Sequence, residues 1–347
     1  EIETAFKLYL PFVGTFYPLM NIGVKSLTIF VILLLSFVNY FGIKYGGYVA
    51  VIFTSAKVLA MLLLVAFAFG FEGGSFENFT INSNHTLPAG SLIAGIIAAL
   101  SAAFWAYDGW NNVTYIASEI KKPQRNIPQA LVIGTIIIVA VYVLINLAYL
   151  YVMPVSAMKD STLVASDVAK LSIGQFGGAL IAALVMISTF GTSNGTIMVS
   201  ARVYFAMARN KMFFGPIGLT HKKYHTPANA LILQAIWTSV LVLSGSFDDL
   251  TDMLIFVSWI FYAFGAVGLF VLRKKMKETP RPYKVPLYPY IPSIFIIFAF
   301  GFVFLTLWND IQNYVNNRTE IINSVFGLLL SLIGLPLYYY FKSRKQN

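Results

Sequence analysis

Charge is almost absent from long stretches of this chain. Nine apolar runs, at about residues 27–43, 49–71, 91–118, 131–153, 176–200, 228–245, 253–272, 290–308 and 321–341, alternate with short polar segments that hold nearly all the Lys, Arg, Asp and Glu. About 20 mostly apolar residues cross the hydrocarbon core of a bilayer as a helix. Each run therefore predicts a transmembrane helix, although 27–43 is short and 91–118 is interrupted by polar residues. The pattern predicts an all-α polytopic membrane protein with about nine transmembrane helices, folded as one domain over 1–347.

Composition supports this reading. Of 347 residues 58% are apolar and 11% charged, against roughly 25% charged in soluble domains, and the mean hydropathy is +0.74. With no cysteine, disulfides, thiolate metal sites and a disulfide-linked partner are excluded. His85, His221 and His225 lie outside the apolar runs, and the last two lack a neighbouring Asp or Glu. The expectation is therefore no metal and no cofactor. A net charge of +10 would point to nucleic acid in a soluble protein, but here the cations sit in loops between spans. The partner they predict is the lipid bilayer, not nucleic acid.

The loop charges also set a direction, because cytoplasmic loops carry the excess of Lys and Arg. One alternating set of segments holds eighteen cations, including Lys44, Lys121, Lys122, Arg202, Arg209, Arg273, Lys277, Arg281 and Lys342, and the other holds five. The acids run the opposite way, eleven to two. This predicts a multi-pass plasma-membrane protein with a cytoplasmic C-terminus and Glu1 outside. An external start without a signal peptide predicts further spans upstream, odd in number. Two sequons, at Asn78 and Asn84, fall on the predicted external side.

Two ionisable residues lie inside spans, Lys57 and Asp108, where each costs about 2.5–3.5 kcal/mol on insertion scales. Lys57, in FTSAKVLAMLLL, is too deep for easy snorkelling; it is either paired for structure or part of a site. Asp108 lies in LSAAFWAYDGWNNVTYIASEIKKPQRNIP. There an apolar half-helix, Leu92 to Ala106, runs into Tyr107, Asp108, Gly109, Trp110, Asn111 and Asn112. Glycine weakens a helix and Asp and Asn side chains compete for backbone bonds, so the segment predicts a helix break at mid-span depth. Such backbone is tolerated only where it lines a cavity or is buried in protein. The carbonyl-rich C-terminal end of the half-helix, near Trp105 to Asp108, would attract an ammonium group; the alternative is an aromatic-rich kink between packed helices. A polar patch, STFGTSNGTIMVSAR, reads equally as small-residue packing, and Trp259 in FVSWIFYAFGAVG reads as packing or as a pocket wall.

FWAYDGWNN followed by SEIKKPQRNIPQAL resembles the amino acid-polyamine-organocation superfamily, in its L-type amino-acid transporter branch. AKVLA around Lys57, FGTSNG with Arg202 and Arg209, and RPYKVPLYPYIP follow the same order, so the likeness covers essentially the whole chain. The resemblance implies helices four to twelve of a 5+5 inverted-repeat fold. In that frame 27–71 holds the last two helices of the first repeat, 91–273 the second repeat and 290–341 two C-terminal helices. The Gly-Ser-Gly-type break that holds the substrate carboxylate belongs to the family's first helix, and no such motif occurs here. By resemblance, Trp105 closes over substrate, the carbonyls of Trp105 and Asp108 hold its amino group, and Gly109 and Asn111 share the break. Lys57 matches the lysine that replaces sodium in sodium-independent members, Ser193 and Asn194 fall on the helix completing that region, and Trp259 lies near the end of the side-chain pocket. Asp108 stands where several relatives have a small residue, and implies either a narrowed pocket or polar or cationic substrates. The absence of cysteine fits a prokaryote-like, unpaired member.

The resulting expectation is a sodium-independent amino-acid exchanger or permease for small or neutral L-amino acids, working by alternating access and not as an enzyme. Two alternatives accompany it: a proton-coupled amino-acid or polyamine permease, and a non-transporting truncated membrane subunit.

Overall fold

The computed structural model describes residues 7–42, 46–80, 89–281 and 283–346. Glu1, Glu3, Lys44, Asn84 and His85, which entered the charge and sequon arguments, lie outside them. A short antiparallel hairpin opens the described chain, β1 (Leu8–Leu10) and β2 (Gly14–Phe16), with Leu8 opposite Phe16. The apolar pattern did not foretell it. It docks on the segment before the last helices through Thr15 N–H to Glu320 O (3.0 Å) and Ile322 N–H to Val13 O (2.8 Å). A Cβ at Gly14 would collide with the Glu320 carbonyl, so glycine permits this close approach.

Twelve helices follow among the described residues: α1 (Ile22–Tyr40), α2 (Gly46–Phe69), α3 (Ala89–Ala106), α4 (Pro123–Val152), α5 (Val155–Lys159), α6 (Val164–Ile173), α7 (Gln175–Arg209), α8 (Ala228–Ser244), α9 (Phe247–Lys275), α10 (Tyr290–Val315), α11 (Asn323–Leu332) and α12 (Gly334–Gln346). Seven helical stretches are long and apolar enough to span a membrane, and two shorter apolar ones are Phe53–Phe69 and Ala228–Ser244. They correspond to the nine predicted runs, and the chain is an all-α polytopic membrane protein apart from its small hairpin.

Helix ends depart from the hydropathy boundaries in a consistent way: several helices continue past the apolar run into polar sequence. α7 has 35 residues, about 52 Å at 1.5 Å per residue, which exceeds the roughly 30 Å hydrocarbon core. Arg202 and Arg209, expected in a loop, are therefore helical. At the start of α9, Ser246 and Asp249 form a capping box, so Asp248, Asp249 and Asp252 are helical rather than in the loop. Asp310 belongs to α10, and Lys25 lies in the first turn of α1, buried, with Nζ donating to the carbonyls of Tyr17, Pro18 and Leu243. The run 321–341 is split into α11 and α12 at Ile333.

Small residues make the helix crossings. Ala68, Ala148, Ala169, Ala201, Ala230, Ala263 and Ala299 are fully buried, which lets backbones approach where lipid supplies no hydrophobic drive between helices. Three clusters result. Leu64 and Ala68 of α2 pack with Ala148 and Val152 of α4 and Val168 of α6; Leu35 of α1 packs with Ile197 and Ala201 of α7 and Leu231 of α8; Ile97 of α3 packs with Ile255 of α9 and Phe302 of α10. The outer faces carry exposed large apolar side chains such as Phe30, Ile136, Ile297 and Phe304, as a lipid-facing surface requires.

Candidate functional site: a broken helix and its tethers

The half-helix α3 is apolar and rich in alanine, and it stops at Ala106. Tyr107 N–H still reaches Ala103 O (3.1 Å), then Asp108 N–H turns back to Trp105 O (3.1 Å). Gly109 takes φ +88°, the left-handed region, which a side chain occupies only with strain. The chain then runs as a 3₁₀ helix over Trp110–Glu119, much longer than the usual three or four residues of such segments. Asn112 N–H donates to Gly109 O (3.1 Å), Thr114 Oγ1 to Asn111 O (2.7 Å), and Asn111 Nδ2 to Tyr115 Oη (3.2 Å). The expected break is present, centred on Tyr107–Gly109.

Neighbouring helices hold the break from two sides. Tyr142 of α4 donates its hydroxyl to Ala106 O at 2.9 Å and packs edge-on against Tyr107, satisfying one carbonyl that the end of α3 leaves open. Tyr262 of α9 donates its hydroxyl to Asp108 Oδ1 at 3.3 Å and lies 5.6 Å from the Trp110 ring. Neither tyrosine was among the predicted site residues. The available signal was a phenol amid apolar residues, since a Tyr hydroxyl in such a place needs a partner.

Lys57 of α2 donates from Nζ to Thr192 Oγ1 of α7 at 2.9 Å, and Thr192 donates onward to Ser188 O. Lys57 is thereby joined to the hydroxyl patch that the sequence placed far away. Thr192, within that patch, was not singled out. Ser193 and Asn194 follow on the same helix, and Asn194 Oδ1 accepts from Asn39 Nδ2 of α1 at 2.7 Å. Asn39 Nδ2 also donates to Leu35 O, so the amide pair ties α1 to α7.

The predicted residues thus fall into three neighbourhoods. Trp105, Asp108, Gly109 and Asn111 belong to the break. Lys57, Ser193 and Asn194 belong to the α2–α7 contact, and the 3₁₀ segment packs on both α4 and α7. Trp259 sits in an aromatic cluster with Phe104 (4.2 Å), Phe302 (5.3 Å) and Phe298 (5.4 Å), the packing arrangement that its sequence context also allowed. Tyr262, 6.2 Å from Trp259, links that cluster to Asp108. Trp105 lines a cavity of about 410 Å³ with Thr251, Asp252, Thr306 and Asp310, and its ring meets Phe247 edge-on at 5.7 Å. Lys57 lines a different cavity, about 250 Å³, with Tyr149 and Ser188. No group of three or more His, Asp or Glu among the described residues is arranged to hold a metal.

Chemically, a half-helix whose C-terminal carbonyls end beside an aspartate presents negative potential suited to an ammonium ion. Lys57, in a separate cavity, joins its own helix α2 to α7 through Thr192.

Comparison with known proteins bears on this arrangement. The chain is 32% identical over 328 residues to the serine/threonine exchanger SteT of Bacillus subtilis (strain 168), covering 93% of this chain and 70% of that protein. It is 31% identical over 323 residues to the human b(0,+)-type amino acid transporter 1, covering 92% of this chain and 63% of that protein. It is 31% identical over 332 residues to the human large neutral amino acids transporter small subunit 2, covering 91% and 57%. The chain thus spans between 57% and 70% of the length of these relatives. A sequence profile of the amino acid permease family matches residues 4–331, nearly the whole chain, and with these relatives it establishes that the chain belongs to that family.

Proposed function

We propose that this protein is a sodium-independent amino-acid exchanger that moves small or neutral L-amino acids across the plasma membrane, with its C-terminus in the cytoplasm. The observation that carries the reading is the break at Tyr107–Gly109, held by Tyr142 and Tyr262. It supplies what amine recognition in a low-dielectric interior needs: a helix C-terminal dipole and carbonyls with a free lone pair. The similarity to proteins named as exchangers and amino-acid transporters supports the substrate class.

In this reading the carbonyls of Trp105 and Asp108 receive the substrate ammonium, and Gly109 allows the turn that exposes them. Asn111 supplies a polar edge, and the Trp105 ring folds over the bound molecule. Trp259 ends the side-chain pocket through Tyr262. Lys57, on Thr192, stands in for a bound cation and tethers α2 to α7, with Ser193 and Asn194 completing that contact. A fixed positive charge there makes a co-transported sodium ion unnecessary. The segments 27–71 and 91–273 act as parts of two inverted repeats, and rocking of one against the other opens the site to each side in turn, while 290–341 packs alongside.

The test is counterflow in proteoliposomes with radiolabelled amino acids, with and without internal substrate. The expected result is uptake that requires internal amino acid and is indifferent to sodium and to a pH gradient. Lys57→Ala should slow it by about tenfold or more, the equivalent of losing a charged hydrogen bond of roughly 1.5–3 kcal/mol, with membrane insertion intact. Proton uptake in step with substrate would replace exchange by proton coupling. A folded, inserted protein that moves no amino acid would point to a non-transporting subunit.

A further inference from the structure

The turn between α9 and α10 concentrates charge. Between positions 273 and 284 stand Arg273, Lys274, Lys275, Lys277, Arg281 and Lys284 against a single acid, Glu278. The only ion pair among the described residues is Lys170 with Asp167, so none of these six cations has a carboxylate within ion-pair distance there. Arg281 is explained by the fold: its guanidinium donates to Met276 O and Lys277 O at the end of α9. The others are not. Arg273 lies 3.6 Å above the Tyr288 ring with Nε buried and without a hydrogen-bond partner, a guanidinium fixed and partly dehydrated with no anion beside it.

Arg273, Lys277, Arg281 and Lys284 line one open pocket together with Leu287 and Tyr288. Against it, sharing Arg273, Arg281 and Val285, lies a second cavity of about 620 Å³. Its walls are Ile127 and Pro128 of α4 and Leu269, Leu272 and Met276 at the end of α9. An apolar trough that opens onto a cationic pocket, both at the end of membrane helices, matches one chemistry: a phosphodiester joined to aliphatic chains. A free phosphate would leave the trough uncovered, and a hydrocarbon alone would leave Arg273 without its anion.

We propose that this pair of cavities is a binding site for an anionic glycerophospholipid, with the phosphate among Arg273, Lys277 and Lys284 and an acyl chain in the trough between α4 and α9. Basic pockets between membrane helices at the cation-rich face bind anionic head groups by the same physics. The assignment needs only that the chain is embedded in a bilayer; it does not depend on what the protein transports.

The experiment is native mass spectrometry of the purified full chain with added phosphatidylglycerol, phosphatidylcholine or free glycerol 3-phosphate. The unaltered protein should retain phosphatidylglycerol over phosphatidylcholine by roughly tenfold, as expected for one to two near-surface cations. Lys277 and Lys284 are exposed, so the double variant K277Q/K284Q should fold normally and lose most of that preference. K222Q/K223Q, the same charge change in the loop between α7 and α8, should keep it. Leu269→Trp, which fills the trough, should weaken phosphatidylglycerol and leave glycerol 3-phosphate unchanged. Equal retention of the two lipids, or equal loss in K222Q/K223Q, would overturn the site. Unaltered phosphatidylglycerol binding in Leu269→Trp, with displacement by free glycerol 3-phosphate, would make it a phosphate pocket and overturn the lipid assignment.

Discussion

Asp108 shows how one side chain acquires meaning from its neighbour. An aspartate within a span has to be hydrated, paired or hydrogen-bonded, and here the Tyr262 hydroxyl serves it across two helices at 3.3 Å. Tyr262→Phe removes that donor alone. If the pair shapes the pocket, Tyr262→Phe and Asp108→Asn should each change apparent substrate affinity about fivefold, near 1 kcal/mol for one hydrogen bond. The double variant should change it no further than the larger single one, as a double-mutant cycle of transport affinities would show. Gly109 sets a second requirement: at φ +88° alanine adds roughly 1–2 kcal/mol of backbone strain. Gly109→Ala should therefore lower the thermal midpoint of the detergent-solubilised protein, and an unchanged midpoint would show that the turn relaxes. The types of Asp108 and Gly109 and their spacing were legible in the sequence. Tyr262 and Thr192 were not, because a hydroxyl in an apolar run gives no hint of which distant atom it meets.

Among the elements, α7 is the hub. Lys57 reaches it from α2, Asn39 from α1, and Gln234 from α8, where Nε2 donates to Ile197 O at 3.4 Å. The polar patch of its sequence was read as packing or as a site, and its residues do pack: Ala201 is fully buried between α1 and α8, while Thr192 and Asn194 carry the polar crosslinks. The short α6, outside the spans, is tied down differently. Asp167 accepts from Ser161 Oγ at 2.7 Å and Lys170 Nζ at 3.0 Å, and these bonds, Ser161 first, hold its carboxyl below the usual range. A depressed folded pKa contributes stability that is present above the unfolded value, near 3.9, and lost as pH falls through the folded one. Amide exchange over 164–173 should therefore quicken as pH drops below about 4 relative to the intrinsic rate, and Asp167→Asn should abolish that dependence. The effect is small, since the pair is solvent-exposed. Ser161 and Lys170 flank Asp167 closely in sequence, so this cluster was readable as local chemistry; the ends of α7 and α9 were not, because hydropathy marks the lipid boundary while hydrogen bonding and caps mark the helix boundary.

At the scale of the molecule, α1, α2, α4, α6, α7 and α8 pack as one group, while α3, α9, α10 and α11 pack as another. The 3₁₀ segment after the break leaves α3 and lies on α4 and α7, so the break is one covalent crossing between the groups, as is the short connection from α8 to α9 at Gly245–Ser246. Relative motion of the two bears on both crossings and on the contacts of Tyr142 and Tyr262 with the break. The orientation proposed from loop charges has a direct test, since the chain has no native cysteine. Thr162→Cys should react with an impermeant maleimide in intact cells, and Ser343→Cys only after permeabilisation. The reverse labelling would invert the topology.

Sequence alone determined the class of this protein, its nine apolar segments and the position of the broken helix. These follow from local quantities: the free energy of moving each residue into hydrocarbon, and the competition of glycine and short polar side chains with helical hydrogen bonds. Only the tertiary structure decided that Lys57 meets Thr192, that Asn194 meets Asn39, and that Asp108 meets Tyr262. Each pair is separated by more than a hundred residues, and its partner is chosen by how helices cross on buried alanines, which no single segment encodes. For the same reason Trp259, open to either role in the sequence, stands among Phe104, Phe298 and Phe302. The basic turn was visible as a run of cations, but the trough beside it exists only because the start of α4 and the end of α9 come to line one cavity.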